Sequence, residues 1–215
     1  AKRENVIDVS LLEFCLREDL NKIAPRVMAV LDPVKLIITN YPEDKVESLD
    51  AENNQEDDSA GFRKLPFSRE LYIEREDFLE VAPAKFFRLS IGNEVRLKNA
   101  YIIKGEAVVK DSEGTITEIH VTYDEESRSG SGSEASQRKV AGTLHWVSIK
   151  HAIEAEVRLY DRLFIDEAPD SHKEKTFLEF KNSNSLEIVK GFVEPSLVSS
   201  TVGDNFQFQR LGYFN

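Results

Sequence analysis

After Pro33 the chain breaks into short runs rich in β-branched and aromatic residues, each closed by a polar turn, and no other feature narrows its possible folds so much. The runs are Lys35 to Asn40, Glu70 to Ile73, Tyr101 to Val109, Thr115 to Tyr123, Gly142 to Val147, Glu156 to Phe164 and Phe206 to Phe214. Runs of this length and content suit strands. Within Thr115 to Tyr123, Ile119, Val121 and Tyr123 alternate with Glu118, His120 and Thr122, as in a strand with one wet face. Asp111 to Gly114 supplies turn chemistry between two runs and predicts a hairpin. Many short strands with few helices favour closed or nearly closed barrels over a layered α/β sheet.

The first thirty residues differ. Leu11, Leu12, Cys15, Leu16 and Leu20 line one face of a predicted helix from Asp8 to Leu20, capped by Asp8 or by Ser10 with Glu13 in S-x-x-E spacing. Pro25 suits the start of a second short helix, carrying Arg26 and Met28 and ended by Asp32 and Pro33. Two later stretches, the acidic one from Tyr41 to Ser59 and the Ser/Gly-rich one from Glu125 to Gln137, hold too little apolar surface to offset their ordering entropy. Both are expected to be surface loops.

The net charge of −11 argues against a nucleic-acid partner until its distribution is considered. Acidic residues concentrate between Tyr41 and Ser59, whereas Lys85, Arg88, Arg96, Lys98 and Lys104 face only Glu94. An acidic protein with a locally basic face is therefore allowed. Cys15 is the single cysteine, which excludes an internal disulfide and predicts a core thiol in a reducing, cytoplasmic setting. No apolar run nears the roughly 18 residues of a membrane span, and no signal-peptide pattern opens the chain, whose abrupt start suggests a piece of something longer.

Catalytic motifs are missing: there is no Gly-rich phosphate loop, no H-E-x-x-H and no G-x-S-x-G. His120, His145, His151 and His172 are scattered, and Glu154, Glu156, Arg158, Asp161 and Arg162 suit cross-strand ion pairs better than acid–base catalysis. What stands out is arginine among aromatics. Phe86, Phe87 and Arg88 are adjacent, Arg96 and Lys98 would share a strand face, and Phe206, Phe208 and Arg210 alternate with Gln207 and Gln209. Guanidinium forks read base edges and aromatic rings stack on splayed bases, which fits single-stranded RNA. Barrel core with solvated arginines fits the same composition.

Several runs, in order, resemble the C-terminal half of the glutaminyl-tRNA synthetases. L-R-E-D-L-N-K-I-A-P-R-V-M-A-V-L-D-P from Leu16 to Pro33 is similar to the family's R-E-D-L-N-x-x-A-P-R-x-M-A-V. R-K-L-P-F-S-R-E-L-Y-I-E-R-E-D-F, E-V-R-L-K-N-A-Y-I-I-K, H-W-V-S, E-V-R-L-Y-D-R-L-F, G-F-V-E-P-S-L and F-Q-F-Q-R-L-G-Y-F follow at family-like positions, so the resemblance covers nearly the whole chain. It implies a mainly β fold: a helical connector over residues 1–30, then two antiparallel β-barrels of a kind shared with a ribosomal protein over 31–215, the chain crossing between barrels near 65–100 and 145–160.

The resemblance also implies a partner, the anticodon loop of the tRNA for glutamine. Arg26, Gln207 and Arg210 would surround the middle base, with Asn21 holding the loop. Arg88 would meet the third base, and Arg96 and Lys98 the wobble base or its phosphate. Lys98 stands where an arginine is common, keeping charge but losing the bidentate fork, and Phe87 replaces a lysine of some bacterial relatives. The parent enzyme would use ATP with magnesium in a catalytic domain that lies outside this chain, leaving the piece itself without a cofactor or activity and with no membrane role. The family generally continues past G-Y-F. The equivalent part of a eukaryotic-type glutamyl-tRNA synthetase, or a stand-alone RNA-binding barrel protein, are the alternatives.

Overall fold

A computed structural model describes residues 8–215 of the 215-residue chain, so the first seven positions of the expected connector lie outside the described residues. One helix, Val9–Ile23, opens it, with the Asp8 carboxylate accepting from the Ser10 amide at 2.9 Å. Asp8 is thus the cap, and Glu13 pairs with Arg17 at 3.7 Å instead of closing a box with Ser10. No helix residue is buried: Leu11, Leu12, Phe14 and Leu16 are each more than half exposed, and Cys15 is an exposed thiol rather than the expected core one. The amphipathic stripe is real but, among the described residues, faces nothing.

The second helix expected after Pro25 does not form. Arg26–Val27 and Ala29–Val30 are short strands, because tertiary partners claim their backbone groups. The Arg26 amide donates to the Asn53 carbonyl at 2.7 Å, and Arg26 and Val27 run parallel to Gln207 and Phe208. Proline at a possible first helical turn carries no weight once such partners exist.

The largest sheet has seven strands in the order Thr143–Leu144, Glu94–Leu97, Ile102–Lys110, Ile116–Asp124, Pro33–Ile38, Glu70–Glu74 and Val147–Ser148. It curls around a core of Met28, Leu36, Ile38, Phe67, Leu71, Ile73, Leu97, Ile119, Val121 and Trp146. The fold is mainly β and barrel-like, as expected, but the pairing is not wholly antiparallel: Ile116–Asp124 runs parallel to Pro33–Ile38, and Thr143–Leu144 to Glu94–Leu97. The predicted hairpin holds Ile102–Lys110 against Ile116–Asp124, its turn fixed by the Asp111 carboxylate accepting from the Glu113 and Thr115 amides at 2.9 Å each. Gly105 is required for close approach, since a Cβ there would lie 2.3 Å from the Ser90 carbonyl oxygen.

The acidic stretch is not the simple loop expected. Glu47–Glu52 pairs antiparallel with Phe62–Phe67, sending Leu49, Ala51, Leu65 and Phe67 into the large core while Asp50 and Glu52 face water. Glu47 is itself partly buried, accepting from the hydroxyls of Tyr41 and Tyr101 at 2.6 and 2.8 Å, and burial followed by that bonding pushes both phenols well above their ordinary pKa. The Ser/Gly-rich stretch is also organised, with a short helical turn at Glu125–Ser127, another at Glu134–Gln137, and Ser127 fully buried.

A smaller core gathers Val27, Ala29, Val157, Val193 and Phe208. Around it lie two three-stranded sheets. One pairs Ile153–Tyr160, Leu186–Val193 and Ala29–Val30; the other joins Arg26–Val27, Phe206–Phe208 and Gly212–Phe214. Leu186–Val193 was not among the expected strands, the expected strand from Gly142 to Val147 divides in two, and the F-Q-F-Q-R-L-G-Y-F run turns back on itself at Arg210, where φ is +69°. The N-terminal strands and the last seventy residues are thus knitted together at one place, and that place positions Arg26.

Candidate nucleic-acid interface

Arg26 is 8% exposed, and parallel pairing puts it directly opposite Gln207. Its Nε donates to Gln207 Oε1 at 2.9 Å and its Nη2 to Asn21 Oδ1 at 2.9 Å, while Glu56 Oε1 lies 3.3 Å from the same Nη2. Asn21 Nδ2 donates to both Glu56 carboxylate oxygens at 2.8 Å, and the Tyr213 hydroxyl reaches Asn21 Oδ1 at 3.3 Å. The third guanidinium nitrogen, Nη1, is buried and has no hydrogen-bond partner among the described residues. An unsatisfied buried donor costs about 1–3 kcal/mol, more when charged, so a fold that keeps one invites an explanation.

Lys98 belongs to the same neighbourhood. It follows the Glu94–Leu97 strand, with its amide bonded to the Leu144 carbonyl at 2.8 Å, and its ammonium makes no hydrogen bond or ion pair among the described residues. Burial depresses its pKa, Glu52 opposes that, and Arg26 and Arg63 add to it. Arg63 is itself clamped to the buried Glu194, whose other contacts are the Met28 amide and Ser196.

Arg210 and Arg88 form a second centre around Asp77, which is completely buried. Arg210 is bidentate to it, with Nη1 to Oδ2 at 2.5 Å and Nη2 to Oδ1 at 2.6 Å, and Arg88 Nε lies 3.3 Å from Oδ1. The Asp77 hydrogen bonds hold the Arg210 pKa above its ordinary value against the opposing effect of burial. His145 Nδ1 sits 3.2 Å from Arg210 Nη1, and its Nε2 is 3.5 Å from Glu74 Oε1, within ion-pair reach but without hydrogen-bond geometry. Glu74 also accepts from the Leu31 and Asp32 amides at 2.8 and 2.9 Å. Burial works against its ionisation, yet His145 and these two amides outweigh burial and leave its pKa below normal. The expected grouping of Arg210 with Arg26 and Gln207 is not made by direct contact: no hydrogen bond links Arg210 to either, and its fork is closed on Asp77.

Arg96 has other partners. Its guanidinium donates to the Ser127 carbonyl, Ser129 Oγ and the Ser136 carbonyl at 3.2, 3.3 and 2.7 Å, tying down the Ser/Gly-rich segment. Desolvation, then the nearby Arg138, lowers its pKa. Arg96 and Lys98 thus alternate with the buried Val95 and Leu97 as expected, but their side chains have different partners. Beside Arg88, a cleft of about 690 Å³ is lined by Phe86, Phe87, Asn93, Lys104 and Lys139, with the Phe87 ring two-thirds exposed.

Of the predicted residues, Asn21, Arg26 and Gln207 come together with Lys98 nearby, Arg88 meets Arg210, and Arg96 stands apart. Sequence reasoning missed Glu56, Tyr213, Asp77, His145 and Glu74. Glu56 looked like one acid in a solvated run, and Asp77 lies 133 positions from Arg210, so no local spacing could have flagged either.

Residues 24–124 match a family model described as tRNA synthetases class I (E and Q), anti-codon binding domain, and residues 143–215 match a second model of the same description. The glutamine–tRNA ligase of Clostridium perfringens is 53% identical over 215 residues, which is all of this chain and 38% of that protein. That of Rhodopirellula baltica is 54% identical over all of this chain and 35% of that protein, and that of Clostridioides difficile 51% identical over 38% of its length. The chain thus spans little more than a third of the length of these relatives.

Proposed function

From the premise that this chain belongs to the anticodon-binding domain family of class I glutamyl- and glutaminyl-tRNA synthetases, we propose that it reads the anticodon loop of the tRNA for glutamine within a longer glutamine–tRNA ligase. The observation that carries this reading is Arg26: a nine-tenths buried guanidinium with one unpartnered nitrogen, fixed in orientation by Gln207 and Asn21. A cation held in a fixed fork can offer hydrogen bonds to a base edge with little reorganisation, and each such pair discriminates by roughly 1–3 kcal/mol.

In this reading Arg26, Gln207 and Asn21 receive the middle base and Lys98 adds an electrostatic pull beside them. Arg88, supported through Asp77 by Arg210, serves the third base, where the exposed Phe87 ring offers stacking. Arg96 shapes the serine-rich segment and approaches the wobble position through it. The two cores are the centres of the two barrels, the expected connector of residues 1–30 shortens to the helix that ends at Ile23 because Arg26–Val27 and Ala29–Val30 are strands of the barrels, and the chain passes from the larger core to the smaller near 145–160. The two matched segments, 24–124 and 143–215, support that division.

Joining glutamine to tRNA with ATP and magnesium belongs, in this proposal, to the part of the longer protein outside this chain. The residues present do not fit those groups: the sequence has no Gly-rich phosphate loop, and among the described residues no three His, Cys, Asp or Glu side chains converge as metal ligands. The exposed apolar stripe of Val9–Ile23 is the surface on which the rest of that protein would pack. Among the described residues no helix is long and apolar enough to cross a membrane, and we assign the protein to the cytoplasm, where tRNA is charged.

The reading is tested by measuring binding of this chain to a glutamine-tRNA anticodon stem-loop and to the same loop with a changed middle base, at one fixed salt concentration. A preference of about tenfold or more for the cognate loop supports it. Equal binding to both would replace it with general RNA affinity.

A further inference from the structure

Among the described residues, Glu56 is the one side chain paired with the Arg26 guanidinium that no part of the reading above uses. Its carboxylate lies 3.3 Å from Arg26 Nη2 and takes two 2.8 Å hydrogen bonds from Asn21, so both proposed readers of the middle base already hold an acidic acceptor. The contact is built, not incidental to a floppy loop. The buried Asn54 side chain donates from Nδ2 to the Lys22 carbonyl at 3.0 Å, at the end of the helix, and its Oδ1 accepts from the Glu56 amide at 3.0 Å. The neighbouring Asn53 carbonyl holds the Arg26 amide. Yet the Glu56 side chain is 56% exposed, while the guanidinium it pairs with is buried, with Nη1 unpartnered among the described residues.

Resting on the reading that Arg26 meets RNA, we infer that Glu56 is a displaceable counter-ion that competes with RNA for the middle-base site and sets the affinity there. A bare guanidinium attracts any phosphate. One that is paired with a carboxylate is released only to a ligand whose acceptor oxygens, such as a base carbonyl, replace the bonds to both Asn21 and Arg26. In the cognate complex Glu56 has moved into water, where its charge is screened and costs little. A mismatched loop either displaces it at the same cost or binds against its repulsion, whichever costs less, so Glu56 penalises the cognate loop at least as much. Glu56 then lowers affinity, and the preference rests on the hydrogen bonds of the fork.

The test compares Glu56→Gln and Glu56→Ala with the unaltered chain, each against the cognate stem-loop and the loop with a changed middle base, with thermal unfolding run alongside. The inference expects the cognate loop to bind roughly three- to tenfold tighter to both variants and the mismatched loop to gain no more than that, so the preference is kept or widens. Cognate binding that weakens in both variants, with folding intact, would mean Glu56 itself contacts the RNA and would overturn the inference while leaving the anticodon reading in place. Unchanged cognate affinity in both variants would overturn it in the same limited way. If the unaltered chain shows no preference at all, the anticodon reading fails and this inference with it.

Discussion

Arg26 and Arg210 come from opposite ends of the chain, lie close in the fold to the same short parallel pairing of Arg26–Val27 with Phe206–Phe208, and are built to opposite ends. Arg210 closes both terminal nitrogens on a completely buried carboxylate and has Arg88 and His145 around it. Arg26 is more deeply buried, yet it is held by neutral amides and one half-exposed carboxylate and keeps a donor in reserve. The difference teaches how to sort arginines that look alike in a sequence. A guanidinium whose hydrogen bonds close on a buried acid is scaffolding, and one oriented by neutral groups with a donor left over is available to a ligand.

If that sorting is right, the largest effect belongs to the scaffold. Asp77→Ala leaves Arg210 without its counter-charge in a site that is only 32% exposed, and stability should fall by about 3 kcal/mol, measured by urea unfolding. A loss below about 1 kcal/mol would show that water reaches Arg210 well enough to replace the pair, and the comparison would break.

A smaller effect should appear with acid. The folded state holds Glu74 below its ordinary value of 4.5, so its contribution to stability is fully present above that pH and is lost as the pH falls toward the folded pKa. Glu74→Gln should therefore flatten the stability–pH curve below about pH 4.5 and leave its shape near neutrality unchanged. The smallest effect should be that of Arg26→Ala on folding, less than about 1 kcal/mol, because the lost bonds are offset by removal of an unsatisfied buried donor. Thermal unfolding of this variant sharpens the contrast: a large loss would make Arg26 scaffolding too.

Much of this contrast was not legible in the sequence, and the reason is physical. The strand Ile116–Asp124 was visible because one face is wet and the other dry, so its residues alternate. Glu47–Glu52 obeys the same alternation, with only Leu49 and Ala51 buried, but its acidic neighbours made it read as a solvated loop. Arg26–Val27 was misread as helical because its strand identity depends on Asn53 and on a partner 181 positions away. The residues of the candidate site could be named from the resemblance, and Asn21, Arg26 and Gln207 do come together. Their division between Arg26 and Asp77 centres was set by buried acids that carry no local signal, and only the three-dimensional arrangement supplied it.

The central claim, that Arg26 reads and Arg210 supports, is tested most directly by one ratio: cognate over changed-middle-base stem-loop affinity, at fixed salt, for the unaltered chain, Arg26→Ala and Arg210→Ala. The account predicts that Arg26→Ala erases the preference, a change of about 1–3 kcal/mol, while Arg210→Ala lowers stability and keeps most of the ratio. A ratio that survives Arg26→Ala and collapses with Arg210→Ala would contradict it and exchange the two roles.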